Sequence, residues 1–310
     1  TKLGHFFQLI NFKKQILSKN CFVELNRGII VGNFRQILMV DMRYLIVCGF
    51  LVLLSKTQAQ TADQWFESGF EKYEAKDYVG AIADYTECIN LAPDYPEAYF
   101  NRGLSYYFTA NFEAAIKDFE QIIKLKPGDA KAYYWKGYCL FEANKIEEAI
   151  SAYTNALYYD PTYAEAFFER AFAKYMLTRY SDALEDLTRA INIDPTYADA
   201  YYYRGLCFYA LENYTDAMIA FNKVVELDPQ DADAWYQIGF IHNDNKAYDL
   251  AIEAYTKVIN LQPTAGDAYY ERGVAYYELY FDDNACQDWK KGAELGDEYS
   301  KIQVESLCNK

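Results

Sequence analysis

Histidine is nearly missing from this chain: two residues in 310, of which only His242 lies beyond position 59. There is also no Gly-rich phosphate loop, no nucleophile elbow and no spaced Cys/His metal set, so nothing points to catalysis, a metal or a cofactor. Proline (7) and glycine (15) are few while aromatic residues make up 18 %, which excludes a disordered or low-complexity chain and leaves ample apolar surface to bury. Positive charge is short as well. The net charge of −15 works against indiscriminate binding to nucleic acid or anionic lipid.

What positive charge exists is unevenly placed. Residues 1–59 carry eight Lys/Arg against Glu24 and Asp41, leaving 22 basic and 43 acidic groups, a balance of −21, for residues 60–310. At that boundary "MRYLIVCGFLVLLSKTQAQ" gives Arg43, an apolar run Leu45 to Leu54, and a polar stretch ending Thr57-Gln58-Ala59. This is the layout of a secretory signal peptide, expected over 42–59 with cleavage after Ala59. Its ten apolar residues fall short of the roughly 20 that span a bilayer, so no transmembrane segment is expected after cleavage. Residues 1–41 share neither the acidity nor the periodicity of residues 60–310. They are expected to be upstream sequence preceding a start at Met42, with a genuine basic leader as the alternative.

After Ala59 the sequence keeps a fixed beat. Prolines fall at 93, 127, 161, 195, 229 and 263, always 34 apart, with Pro96 the one exception. Small residues recur at Gly69, Gly103, Gly137, Ala171, Gly205, Gly239 and Gly273, and again at Ala81, Ala115, Ala149, Ala183, Ala217, Ala251 and Ala285. A fixed period of this length is the mark of a repeat array. Each copy holds two helix-length amphipathic segments, as in "AYYWKGYCLFEAN" and "IEEAISAYTNALYYD". Proline closes the second because it cannot donate the next helical bond. Small residues facing one another let the paired helices approach closely.

This pattern resembles the tetratricopeptide repeat family. The family's aromatic, small, small, aromatic, small and proline positions match Tyr133, Gly137, Ala149, Tyr153, Ala156 and Pro161 in the third copy, and Trp65, Gly69, Ala81, Tyr85, Cys88 and Pro93 in the first. The resemblance implies an all-α fold: a right-handed superhelical solenoid of seven helix-turn-helix repeats. They are expected at 62–95, 96–129, 130–163, 164–197, 198–231, 232–265 and 266–296, with a C-terminal capping helix over 297–310. Two departures stand out. Ala171 replaces glycine, and the usual leucine before it is Arg102, Lys136, Arg170, Arg204 or Arg272 in five copies. Those cations are expected to pair with Asp84, Asp118, Asp186 or Asp288, within a repeat or between neighbours.

In the family, first helices line the concave face, which makes Phe100, Tyr134, Phe168, Tyr202, Tyr236 and Tyr270 groove candidates, with Tyr138 one turn on and Asp199 and Asp233 on the rim. Part of this ladder must be core. The remainder implies a non-enzymatic scaffold or adaptor of the cell envelope, periplasmic or extracellular, that binds a partner peptide with apolar and basic residues. Lys and Asn, which grip an acidic C-terminal carboxylate in the family's best-known ligand mode, are absent from those positions, so that role is not expected. The alternatives are a structural subunit of a larger or self-associated assembly, glycan binding on the tyrosine faces, and an unrecognised hydrolase or transferase site. His242, at a position aromatic or aliphatic in most copies, reads as packing, as does Cys88. Cys139 and Cys207 sit two copies apart, too far to bond. Cys286 and Cys308 lie ten residues before and twelve after Gly296, at heights of about 15 and 18 Å on antiparallel helices. They are either bridged, stapling the cap, or two free thiols.

Overall fold

The computed structural model describes residues 60–308, and the expected leader and signal segments lie outside them. Seven helical hairpins succeed one another: α1 Ala62–Glu74 with α2 Tyr78–Leu91, α3 Pro96–Phe108 with α4 Phe112–Leu125, α5 Ala130–Glu142 with α6 Ile146–Tyr159, and α7 Ala164–Met176 with α8 Tyr180–Ile193. Then come α9 Ala198–Ala210 with α10 Tyr214–Leu227, α11 Ala232–Asp244 with α12 Tyr248–Leu261, and α13 Gly266–Glu278 with α14 Asp282–Glu294. A last helix, α15 Glu298–Gln303, runs on into a π-helical turn over Val304–Cys308. Among the described residues there is no strand, so the fold is an all-α solenoid.

Local chemistry sets each boundary. Within every hairpin one non-glycine residue adopts the left-handed conformation (Lys76, Ala110, Asn144, Thr178, Glu212, Lys246 and Tyr280, φ 57–63°). In the third hairpin Lys145 N–H donates to Leu140 O and Asn144 N–H to Phe141 O, closing α5 by a Schellman turn. Asp77, Asn111 and Asn213 cap second helices with side-chain oxygens, and Asp129 and Asp231 cap first helices. Second helices end at a residue held extended by the proline after it, such as Ala92 (ψ 83°) and Asp160 (ψ 92°).

The core is one contact repeated. A Cβ placed on Gly137 would lie 2.7 Å from the ring of Tyr153, on Gly205 2.7 Å from Phe221, and on Gly273 2.5 Å from Trp289. Each second-helix ring therefore lies directly on its glycine. In the fourth hairpin Ala171 takes the glycine's place, and Leu187 takes the ring's, so added bulk on one helix is matched by loss on the other. The position before the glycine carries the ion pairs. Arg102 Nε and Nη2 donate to Asp118 at 2.8 and 2.7 Å, and Arg170 does the same to Asp186 at 2.8 and 2.6 Å. Arg272 repeats the fork on Asp288. The pairs lie within a hairpin, and each third nitrogen reaches back to the preceding one, at Thr86, Thr154 or Thr256. Asp84 is held instead by Ser68 and Lys72, and Lys136 by Glu120.

At the C-terminal end α15 packs on α13 and α14. Cys286 and Cys308 are bonded, with Cα atoms 5.5 Å apart, which ties the cap to α14. Cys88, Cys139 and Cys207 are free and buried. Burial pushes the Cys139 and Cys207 thiols up to about 12, so they are packing groups rather than nucleophiles.

Candidate functional site

First helices of neighbouring hairpins approach one another (α1 to α3, α5 to α7, α7 to α9, α11 to α13), while no two second helices come as close. The first helices thus take the inner side of the stack, and their rings meet across it. Phe141 lies 5.3 Å from Phe172, Phe172 lies 5.0 Å from Tyr203, and Tyr107 lies 5.5 Å from Tyr138. Spacings of this kind are those of favourable aromatic pairs, which stiffen the surface they form.

Three first helices border an open cavity of about 290 Å³ on this side. Helix α5 supplies Tyr138, Phe141 and Glu142; α7 supplies Phe168, Glu169 and Phe172; α9 supplies Asp199 and Tyr203. Five rings form the walls and three carboxylates open into it. The middle one, Glu169, is partly buried and pairs with no cation among the described residues. Burial first, then the negative charge of Glu142 and Asp199, raises its pKa from 4.5 to about 7. Tyr134, Tyr138, Tyr153, Tyr197 and Tyr203 all lie within its electrostatic reach. Among the described residues no three of His, Cys, Asp or Glu are placed to hold a metal ion. A cavity of rings around an unpaired carboxylate can take an organic cation, since ring faces attract a cation and a carboxylate neutralises it.

Of the groove candidates, Tyr138, Phe168 and Asp199 meet in this cavity. Phe100 lines a separate one of about 340 Å³ with Glu97, Ile122 and Lys126. Tyr134, Tyr202 and Tyr236 lie at 5.5–5.9 Å from the second-helix rings Tyr153, Phe221 and Tyr255, so each closes the core with one face. Tyr270 lies 5.5 Å from Tyr299 of the cap with the rings tilted, and Asp233 stays exposed near Tyr202. His242 is half-buried in α11, and burial lowers its pKa below the ordinary value. Glu142, Glu169 and Tyr203 were not singled out from the sequence. The available signal was Glu169 itself, a carboxylate one residue past the groove aromatic on the inner side of the stack.

Family models for the tetratricopeptide repeat match residues 100–166 and 168–232, 69–108, and 232–265. Among solved structures, the MamA protein is 27 % identical, with a TM-score of 0.52 over 57 % of this chain and 94 % of that one. YrrB, described as a TPR protein with an unusual peptide-binding site, is 24 % identical with a TM-score of 0.55, over 61 % and 98 %. The C-terminal part of a TPR repeat-containing protein from Cytophaga hutchinsonii is 21 % identical with a TM-score of 0.67, over 78 % and 99 %. A comparison with curated proteins finds no match.

Proposed function

The chain belongs to the tetratricopeptide repeat family, whose fold serves as a protein–protein interaction scaffold, and we propose that its inner face binds a segment of a partner protein through a lysine or arginine side chain seated in the Glu169 cavity. The observation that carries this is the unpaired, partly buried Glu169 among five rings. A buried charge without its counter-ion is costly, and a ligand that supplies the counter-ion removes that cost on binding. Apolar residues flanking the basic one would lie along Tyr138, Phe172 and Tyr203. The peptide-binding site named for YrrB is a precedent for a segment bound by this fold.

Export belongs to the same proposal: the protein acts as an adaptor or assembly factor in the cell envelope. The signal-like segment 42–59 supports it, as does the Cys286–Cys308 bond, because such bonds persist in oxidising compartments. The role is proposed to be non-enzymatic. The test is a peptide array of random ten-residue segments probed with the full chain, its Glu169→Gln form and its Tyr203→Ala form. Selected segments should share a Lys or Arg next to apolar residues, and both variants should lose them by about tenfold or more, the worth of one partly desolvated charge pair. Selection without a basic residue, or undiminished binding by Glu169→Gln, ends the proposal.

A second reading has its own observation. Tyr280, Phe281, Tyr299 and Ile302 leave more than half of their surface exposed near the C-terminal end, as a surface joining two copies would. Sedimentation showing a concentration-independent monomer removes it.

A further inference from the structure

Six of the seven hairpins balance the position just before the small residue. Arg102, Arg170 and Arg272 each hold an aspartate on their own second helix. Lys136 faces Ala152, but reaches Glu120 of the preceding hairpin at 2.8 Å. Ser68 donates to Asp84, and Ile238 stands over Ala254 with no charge on either side. The fifth hairpin keeps the cation and lacks the acid. Arg204 stands over Ala220, and the residue in the place of Glu120 is the neutral Thr188.

The consequence is visible around the guanidinium. Arg204 Nε is buried and has no acceptor, whereas Nε of Arg102, Arg170 and Arg272 each donates to a carboxylate at 2.7–2.8 Å. Its guanidinium carbon lies 4.8 Å over the Tyr201 ring, closer than the 5.6–5.7 Å of Arg102, Arg170 and Arg272 over Tyr99, Phe167 and Tyr269. Two charged groups of α10 are near. Asp216 acts on Arg204 electrostatically but forms no ion pair with it, and one of its oxygens accepts from Asn213 at 2.7 Å; Lys223 donates to Glu226 at 2.6 Å. The same crease is open in other hairpins, as a cavity of about 500 Å³ beside the Arg272–Asp288 pair and about 200 Å³ beside Lys136. A buried donor left without an acceptor keeps the cost of its lost hydration, the more so when it is charged.

We propose that Arg204 is half of a binding site for a carboxylate side chain of a partner protein, in the crease between α9 and α10. The ligand supplies the acid that Asp118, Asp186 and Asp288 supply in the other hairpins. This site is independent of the Glu169 cavity and takes the opposite charge. A planar carboxylate is the matching ligand because the Arg fork already donates to one three times in this chain.

The test monitors the arginine Nε–H signals of the full chain by ¹H–¹⁵N NMR, with Arg204 assigned through Arg204→Lys. Acetate is titrated at constant ionic strength against chloride, with sulfate in a parallel series. The Arg204 signal should move saturably with acetate while those of Arg102, Arg170 and Arg272 stay in place. In Ala220→Asp it should sit with those three from the outset and no longer respond. An Arg204 signal that ignores acetate, or drifts linearly together with the others, overturns the proposal. A response to sulfate equal to that for acetate overturns the carboxylate assignment. A shift caused by Asp216→Asn alone, as large as that caused by acetate, shows the partner to be internal and overturns it too.

Discussion

Glu169→Gln separates the electrostatics of the inner cavity from every other feature of the fold. In the folded chain burial, Glu142 and Asp199 raise the carboxyl of Glu169 to about 7, against an ordinary 4.5. The folded protein therefore keeps, between those values, a proton that the unfolded chain has released. Stability contributed by the neutral form is complete below 4.5, declines as pH rises, and is gone above 7. At 1.36 kcal/mol per pH unit the span sets a ceiling of about 3 kcal/mol, and water entering the open cavity brings the expected figure to about 1–2 kcal/mol. Glutamine cannot ionise, so the variant escapes this loss. It should match the parent at pH 4.5 and exceed it by about 1–2 kcal/mol at pH 8. Urea unfolding of both proteins at the two pH values measures the double difference. Other raised carboxyls, such as Glu271 beside Asn243, are common to both chains and cancel. A difference between the proteins that is the same at both pH values refutes the reasoning. The gain should come with loss of the partner, the trade expected when a binding group is held at the expense of stability.

Gly137→Ala puts a methyl 2.7 Å from the Tyr153 ring and should cost about 1–3 kcal/mol. Adding Tyr153→Leu, which copies the Ala171–Leu187 solution of the fourth hairpin, should recover part of that; strict additivity in the double-mutant cycle contradicts the packing account. Thr178, β-branched at φ 58°, should be improved by Thr178→Gly, with a rise of about 1 kcal/mol in unfolding free energy; a fall would show the turn to be unstrained. Reducing the Cys286–Cys308 bond opens a loop of 22 residues, worth about 3 kcal/mol of chain entropy. Hydrogen exchange should then quicken in α15 and α14 while α1–α12 keep their rates; uniform quickening along the chain would count against a local staple.

Much of the fold is legible because one packing problem is solved seven times. Glycine against a ring and proline after a second helix recur every 34 positions, so a departure at one copy, such as Ala171 or Gly296, is outweighed by the others. The same averaging hides the site. The position of Glu169 reads Glu67, Asn101, Trp135, Tyr203, Gln237 and Glu271 in the other copies, and no periodic signal survives there. Its character also depends on three helices meeting, which brings Glu142 from 27 residues before and Asp199 from 30 after. The ladder of aromatics was legible as a ladder. Which face of each ring is used was not, since Tyr134 and Tyr202 are claimed from behind by Tyr153 and Phe221.

Regularity also gives departures their meaning. A charge left unpaired in an irregular protein can be a by-product of a fold with no better option. Here the option is on display: Arg102, Arg170 and Arg272 are satisfied on the same backbone by a single aspartate. Ile238 over Ala254 shows that the charge can be dispensed with altogether. Arg204 without an acid is therefore not imposed by the architecture. The same holds for Glu169, since Tyr203 and Gln237 occupy its place elsewhere without a charge. Both exceptions fall in neighbouring hairpins, the fourth and the fifth, and they carry opposite signs. Glu169 lines the inner cavity, and Arg204 lies where α9 meets α10, its Nε buried without an acceptor. A partner bearing one basic and one acidic side chain would relieve both, and bringing the wrong sign to either would add repulsion to an unmet desolvation cost. Specificity in this stretch of the array thus comes from the two places where the repeat was not completed.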